Sequence, residues 1–226
     1  MPAMDQGSDL ERRIAGIAAL DQPLRRDLYR LLADGAWYTR DDAAAALEVA
    51  RSVAAFHLDK LADAGVVEVR FERLTGRRGP GAGRPSKLYR LAAEELAASV
   101  PERHYDLAGS LLAAAVAESA RTGRPVGDCL REAARAAGRR VGDEAGGDVL
   151  AALARQGYEP ECGRPGDEIA LANCPFHRLA TQERDLVCGM NLDFLSGLLE
   201  GLALGDGLTA RLEPAPGYCC VRIAAA

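Results

Sequence analysis

No apolar run in the 226 residues approaches the roughly 20 needed to span a membrane, and residues 1–9 carry no basic stretch followed by an apolar core. Neither a membrane protein nor a secretory leader is expected, and a soluble cytoplasmic chain is. Cysteine is too scarce for a disulfide scaffold: six, at positions 129, 162, 174, 188, 219 and 220. In a reducing compartment, that number points to metal, cluster or redox use. Net positive charge is also missing. The formal charge of −5 would argue against a nucleic-acid partner if it were evenly spread.

The charge is not evenly spread. Residues 1–90 hold 15 Lys and Arg against 13 Asp and Glu, whereas residues 91–226 hold 13 against 20. Seven of the basic residues (Arg70, Arg73, Arg77, Arg78, Arg84, Lys87 and Arg90) fall in one short stretch whose sole acid is Glu72. Positive charge is concentrated where a phosphate backbone would need it. The abundance of alanine, arginine and glycine suits a GC-rich bacterial source, and the length suits two domains.

From Asp21 the pattern reads as a helix with Asp21 as N-cap, Pro23 near its start, Leu24, Leu28, Leu31 and Leu32 on one face, and Gly35 past its end. Thr39 caps a short helix through Asp41, Asp42 and the alanines to Leu47. A turn at residues 48–50 leads to a third helix from Arg51 to about Asp63, which Gly65 closes. This is the order of a helix-turn-helix, whose last helix enters the major groove. Val66 to Phe71 and Lys87 to Leu91 read as two strands around a glycine- and arginine-rich wing.

Within the third helix, Ala54, Leu58 and Leu61 recur at helical spacing and should face the core. Arg51, Ser52, Ala55 and Phe56 then face outward. Arg51 is the candidate for a base edge, and Ala55 or Phe56 for a thymine methyl. Lys60, Arg73, Arg77, Arg78, Arg84 and Lys87 are candidate phosphate contacts, and His57 reads as a packing residue.

Residues 101–122 and 125–140 read as alanine-rich helices with an apolar stripe at Leu107, Leu111, Leu112 and Val116. Such a stripe is expected to pair with a second subunit, giving a homodimer on a two-fold DNA site. Cys129 within it reads as a small buried hydrophobe. The fold class expected is α+β: a winged helix-turn-helix over residues 1–95, a helical dimerisation segment over 96–145, and a small α+β sensor domain over 146–226.

That last domain holds most of the cysteines. A helix over residues 149–156 and strands near 158–161 and 168–172 lead to Cys174, read as the N-cap of a helix starting at Pro175, where the thiolate is favoured. An unbroken helix would carry Cys188 about 20 Å from Cys174, so a shared site requires a break near residues 181–184. Strands at 208–212 and 218–223 flank a turn at 214–217. Strand alternation lets only one of Cys219 and Cys220 face a given site. Cys162, a hairpin length from Cys174, falls about 20 Å away if the strands are straight.

The stretch from Phe56 to Val67 resembles the ArsR-type winged-helix regulators, and the segment from Gly76 to Leu91 resembles the wing of the subgroup that contains the SufR-like iron–sulfur regulators. Asn173-Cys174-Pro175-Phe176-His177, the run from Leu186 to Leu202 and Pro216 to Ile223 are similar to the sensor domain of that subgroup. The resemblance implies an iron–sulfur cluster held by Cys174, Cys188 and Cys219 or Cys220, with the fourth position taken by His177, Cys162 or an outside ligand.

On residue chemistry alone, three cysteines and a histidine equally suit tetrahedral zinc, and cysteines also serve as plain core residues. An enzyme with Cys174 as nucleophile and His177 as base has no third group to orient it and is not expected. The function expected is a transcription regulator that binds a double-stranded operator under control of a cluster or metal. The alternative is a sensor domain that holds zinc or an apolar small molecule.

Overall fold

The computed structural model describes residues 9–73, 85–93, 95–162, 168–202 and 207–225, and structural statements below concern these. The chain divides into two units, Met1–Ala98 and Ser99–Ala226.

The first unit runs α1 (Asp9–Ala19), α2 (Pro23–Leu31), a 3-10 turn (Leu32–Asp34), β1 (Tyr38–Thr39), α3 (Arg40–Ala46), α4 (Arg51–Asp63), β2 (Val67–Glu72) and β3 (Ser86–Leu91). Gln22, not Asp21, caps α2: its side-chain oxygen accepts the Arg25 N–H at 2.9 Å, and Asp21 lies one residue outside. The cap at Thr39 has the expected form, a capping box in which Thr39 and Asp42 each bond the other's backbone N–H. Two elements lie outside those expected. One is α1, with Leu10, Ile14 and Ile17 at helical spacing; the other is β1, two residues long and held by pairing with β3, which makes β3 the centre of a β1-β3-β2 sheet.

The core of this unit is Leu28, Leu32, Ala43, Leu58, Leu61, Val66, Val67 and Tyr89. Ala54, Leu58 and Leu61 are fully buried, as the spacing within α4 requires. Gly65 (φ +71°) follows α4 in the left-handed conformation that ends it and turns the chain into β2.

The second unit comprises α5 (Tyr105–Thr122), α6 (Val126–Glu144), α7 (Val149–Arg155), β4 (Pro160–Glu161), β5 (Ala170–Leu171), α8 (His177–Gln182), α9 (Arg184–Gly201), β6 (Leu208–Leu212) and β7 (Val221–Ala225). The helices expected as a separate dimerisation segment are built into its core. Leu111, Ala115, Leu130 and Ala134 of α5 and α6 share one cluster with Phe194, Leu195 and Leu198 of α9. Cys129 is buried within this cluster, as a small hydrophobe would be.

Backbone-to-backbone proximity sets the crossing of α6 and α9. A Cβ built on Gly138 would lie 1.9 Å from the Phe194 carbonyl oxygen, and one on Gly197 would lie 2.0 Å from that of Arg135. Gly142 and Gly201 repeat the arrangement one turn on. Arg135 and Arg139 of α6 then reach Glu200 of α9 on the outer side.

Candidate functional site

On the first unit, α4 presents Arg51, Ser52, Val53, Phe56 and Lys60 to solvent. Phe56 is 58% exposed, a large apolar ring left uncovered on a helix whose other face is fully buried. Ala55 is half-buried. Arg51 is held in place by Asp41, its Nε donating to the carboxylate at 2.5 Å. These two exposed side chains, with Thr39, Arg40, Phe71, Pro85, Ser86 and Lys87, line a groove between the start of α4 and the base of the wing.

Lys87 departs from the role expected of it. It points inward: its Nζ lies 2.5 Å from Asp59 Oδ1, which also accepts from the Tyr89 hydroxyl at 2.7 Å. Arg40 donates its Nε to that hydroxyl and a second nitrogen to Asp59 Oδ2 at 3.2 Å. Burial pushes the Asp59 carboxyl up. The hydrogen bonds from Lys87 and Tyr89, with the charges of Lys87 and Arg40, outweigh it and hold the pKa below the ordinary carboxylate value. Lys87 thus braces the wing strand against α4 more than it offers a free cation.

Much of the remaining charge of the cationic stretch is also engaged. Arg70 and Arg90 stack on Trp37, the single tryptophan of the chain, at 4.2 Å and 4.7 Å from the ring centroid, and pair with Glu72 and Glu68. The Trp37 clamp is invisible to sequence reasoning, because nothing near residue 37 signals which strands will cover it. Arg73 is exposed, whereas Arg77, Arg78 and Arg84 lie outside the described residues. His57 sits at the edge of the core, its Nδ1 buried without a partner, and burial followed by the charge of Arg25 lowers its pKa.

On the second unit, four cysteines meet. A cavity of about 400 Å³ is lined by Cys174, Cys188, Cys219 and Cys220, with His177, Arg184 and the turn from Pro214 to Tyr218. The helix break that a shared site requires is present: Glu183, at φ −128° and ψ 66°, separates α8 from α9, so Cys188 on the first turns of α9 comes back towards Cys174.

Cys219 and Cys220 both reach the cavity, against the alternation expected of a strand. They precede β7, which starts at Val221, and the chain bends there. Cys219 N–H donates to the Leu171 carbonyl and the Cys220 carbonyl accepts from Glu213. Cys174 is not a helix N-cap either. Phe176 caps α8, and Cys174 lies in the turn before it. Cys162 is exposed and is not part of the cavity lining.

Cys188 and Cys220 are joined as a disulfide. Cys174 and Cys219 remain thiols. A hydrogen bond with Cys219, with the Phe176 backbone N–H and the Arg103 charge, outweighs the cost of burial and brings Cys174 down to about 7. The same bond and burial push Cys219 up. Behind Cys219 lies a buried polar chain: the Tyr158 hydroxyl donates to Asn191 Oδ1, and Asn191 Nδ2 donates to the Cys219 sulfur at 3.2 Å. Tyr158 and Asn191 are each 1% exposed. Among the described residues, no group of three or more His, Cys, Asp or Glu side chains is disposed to hold a metal ion as it stands, and no helix is long and apolar enough to cross a membrane.

No curated protein and no solved structure matches the chain. A family model described as a helix-turn-helix domain matches residues 20–70. The match takes in α2, α3 and α4 and ends within β2, so it covers the α4 reading head and none of the cysteine-bearing unit. The N-terminal unit is therefore similar to helix-turn-helix domains, and that likeness supports a DNA-binding transcription regulator over an enzyme.

Proposed function

We propose that the chain is a bacterial winged-helix transcription regulator, ArsR-like and of the SufR-like kind, whose affinity for a double-stranded operator is set by an iron–sulfur cluster or zinc ion. The convergence of Cys174, Cys188, Cys219 and Cys220 from three separate segments on one cavity carries this reading. Four cysteines lining one cavity would, once drawn together, make a donor set suited to iron–sulfur or zinc chemistry. The donors also fit on chemical grounds. The buried Tyr158–Asn191 pair aims an amide N–H at the Cys219 sulfur, a bond that would strengthen if that thiol gave up its proton to a metal.

The set offers four thiols only after the Cys188–Cys220 disulfide has taken up two electrons and two protons. When bound, a cluster or metal would supply a cross-link between the 174 loop, α9 and the last hairpin that depends on redox state or metal supply. The chain's own residues do the rest: Asn191 orients the Cys219 sulfur, Arg103 and the Phe176 N–H favour charge on Cys174, and α4 with the wing meets the duplex. A homodimer is part of the proposal. Gly109, Ala113, Val116, Ala117 and Ala120 form an exposed, uncharged face on α5, and sedimentation would test whether it pairs with a second copy.

A second reading rests on the disulfide itself. The same sulfurs would act without metal as a dithiol–disulfide switch. One experiment separates the two: purification without oxygen, a visible spectrum, and assays of iron, sulfide and zinc in wild type and in Cys174→Ser, Cys188→Ser, Cys219→Ser and Cys220→Ser, with Cys162→Ser as control. Metal present in wild type and in the control, and lost in the other four, is the expected result. Equal metal in all six proteins sinks the first reading.

A further inference from the structure

Asn173 is buried to 6% exposure beside the candidate site, and every hydrogen-bonding atom of its amide is used. Nδ2 donates to the Gly157 carbonyl at 2.6 Å and to the Glu102 carbonyl at 2.9 Å, and Oδ1 accepts from Arg103 Nη1. That guanidinium nitrogen also donates to the Cys174 carbonyl at 3.1 Å. Close by, the His104 N–H donates to the Pro175 carbonyl at 3.2 Å, and the Arg103 N–H donates to Ser99 Oγ at 2.8 Å. Residues 99–104 are thus laced to the loop 173–175. They are also the first residues of the second unit, through which the chain continues from Ala98.

We infer that Asn173 and Arg103 are positioning residues that tie the Cys174 backbone to the entry segment 99–104, so that a change at the Cys174 sulfur is felt by the segment leading to the DNA-binding unit. The inference rests on the reading of the cysteine cavity as the sensing site. Geometry explains why a change would travel. Cys174 lines the cavity beside Cys219 while its carbonyl accepts from Arg103, so a group added at the sulfur displaces the residue whose carbonyl Arg103 holds. The amide of Asn173 is hard to replace. Aspartate would turn a donor towards two carbonyls into a negative charge, and alanine would remove the donor to the buried Gly157 carbonyl and the acceptor that helps to hold Arg103. Coupling of this kind needs a physical connection that responds to the state of the site, and these bonds supply one.

The test uses the reduced, metal-free full chain before and after alkylation with iodoacetamide, with Cys174→Ala treated identically to subtract the other thiols. Hydrogen exchange of the Arg103 and His104 amides is followed by mass spectrometry. In wild type, blocking Cys174 should speed that exchange at least tenfold, whereas Cys174→Ala should show no such change on alkylation. In Asn173→Ala, exchange should be fast already and insensitive to alkylation. Arg103→Ala removes the donor to the Cys174 carbonyl, should behave in the same way, and serves if Asn173→Ala does not fold. Exchange that ignores alkylation in wild type, or that still responds in the variants, overturns the inference. Metal content of the wild type, measured separately, reports on the cluster reading: protein that never takes up metal yet keeps the alkylation response removes that reading and leaves the clamp standing.

Discussion

At the residue scale, two polar groups show how differently the chain treats a charge at the surface and a hydroxyl in the core. Asp59 collects Lys87, Tyr89 and Arg40, and its pKa is lowered in the folded state. A depressed carboxyl stabilises the fold fully above its ordinary value near 4 and loses that contribution as pH falls through the lower folded value. Asp59→Asn should therefore lower the melting temperature at neutral pH, and the gap from wild type should close as pH falls below the ordinary carboxylate value and through the lower folded one. With side-chain exposures of 41% for Asp59 and 23% for Lys87, solvent screening limits the loss to about 1 kcal/mol or less. A gap independent of pH would mean that the effect is not ionic.

Tyr158 makes the opposite case, a polar group with no solvent to fall back on. Tyr158→Phe keeps the ring but leaves Asn191 Oδ1 unpaired in the core, and should cost about 1–3 kcal/mol in a urea titration. An unchanged midpoint would show that the tyrosine–asparagine bond contributes nothing to the fold.

At the element scale, the α6–α9 crossing is the most exacting feature of the second unit. Gly138→Ala or Gly197→Ala places a methyl about 2 Å from a carbonyl oxygen of the facing helix. Backbone cannot yield there without separating the helices, so either change should cost about 3 kcal/mol or more. Gly189→Ala on α9 meets nothing within 4 Å and should raise stability by about 0.5–1 kcal/mol through helix propensity alone. Denaturation midpoints moving in opposite directions would check both; a shift in the same direction would refute the packing account.

Local rules serve these elements well where the signal lies within a few residues. The cap at Thr39 and the end of α4 at Gly65 both follow from neighbours in sequence. Strand alternation fails at Cys219 and Cys220, because the Leu171 and Glu213 bonds bend the chain before β7 begins. β1 escapes notice for a related reason: two residues carry no period, and only β3 makes them a strand.

At the scale of the whole molecule, a net charge of −5 coexists with a surface suited to duplex because the charges are segregated along the chain. Tertiary structure narrows the cationic stretch further. Lys87, Arg70 and Arg90 are engaged within the unit, and Arg51 and Lys60 pair with Asp41 and Asp63; of the remaining candidate phosphate contacts, Arg73 is exposed and Arg77, Arg78 and Arg84 lie outside the described residues. Replacing those three wing arginines by alanine should flatten the dependence of log affinity on log salt by about 0.9 for each phosphate no longer neutralised, up to about 2.7 in all. Lys87→Ala should weaken binding without that change in slope, by loosening the wing base. Fluorescence anisotropy with a labelled duplex across a salt series reads both. A slope unaltered by the triple substitution would remove the wing from the interface.

The sequence by itself determined the order of the helices from α2 to α4, the buried face of α4 and the location of positive charge. The first two are written in residues a turn or two apart. Tertiary structure alone decided that Cys219 and Cys220 both turn to the cavity, that Cys162 stays out of it, that Lys87 faces Asp59, and that Asn173 and Arg103 bind the entry segment to Cys174. Those outcomes depend on which distant backbone groups come within hydrogen-bond reach once the helices have packed, and no local period encodes that.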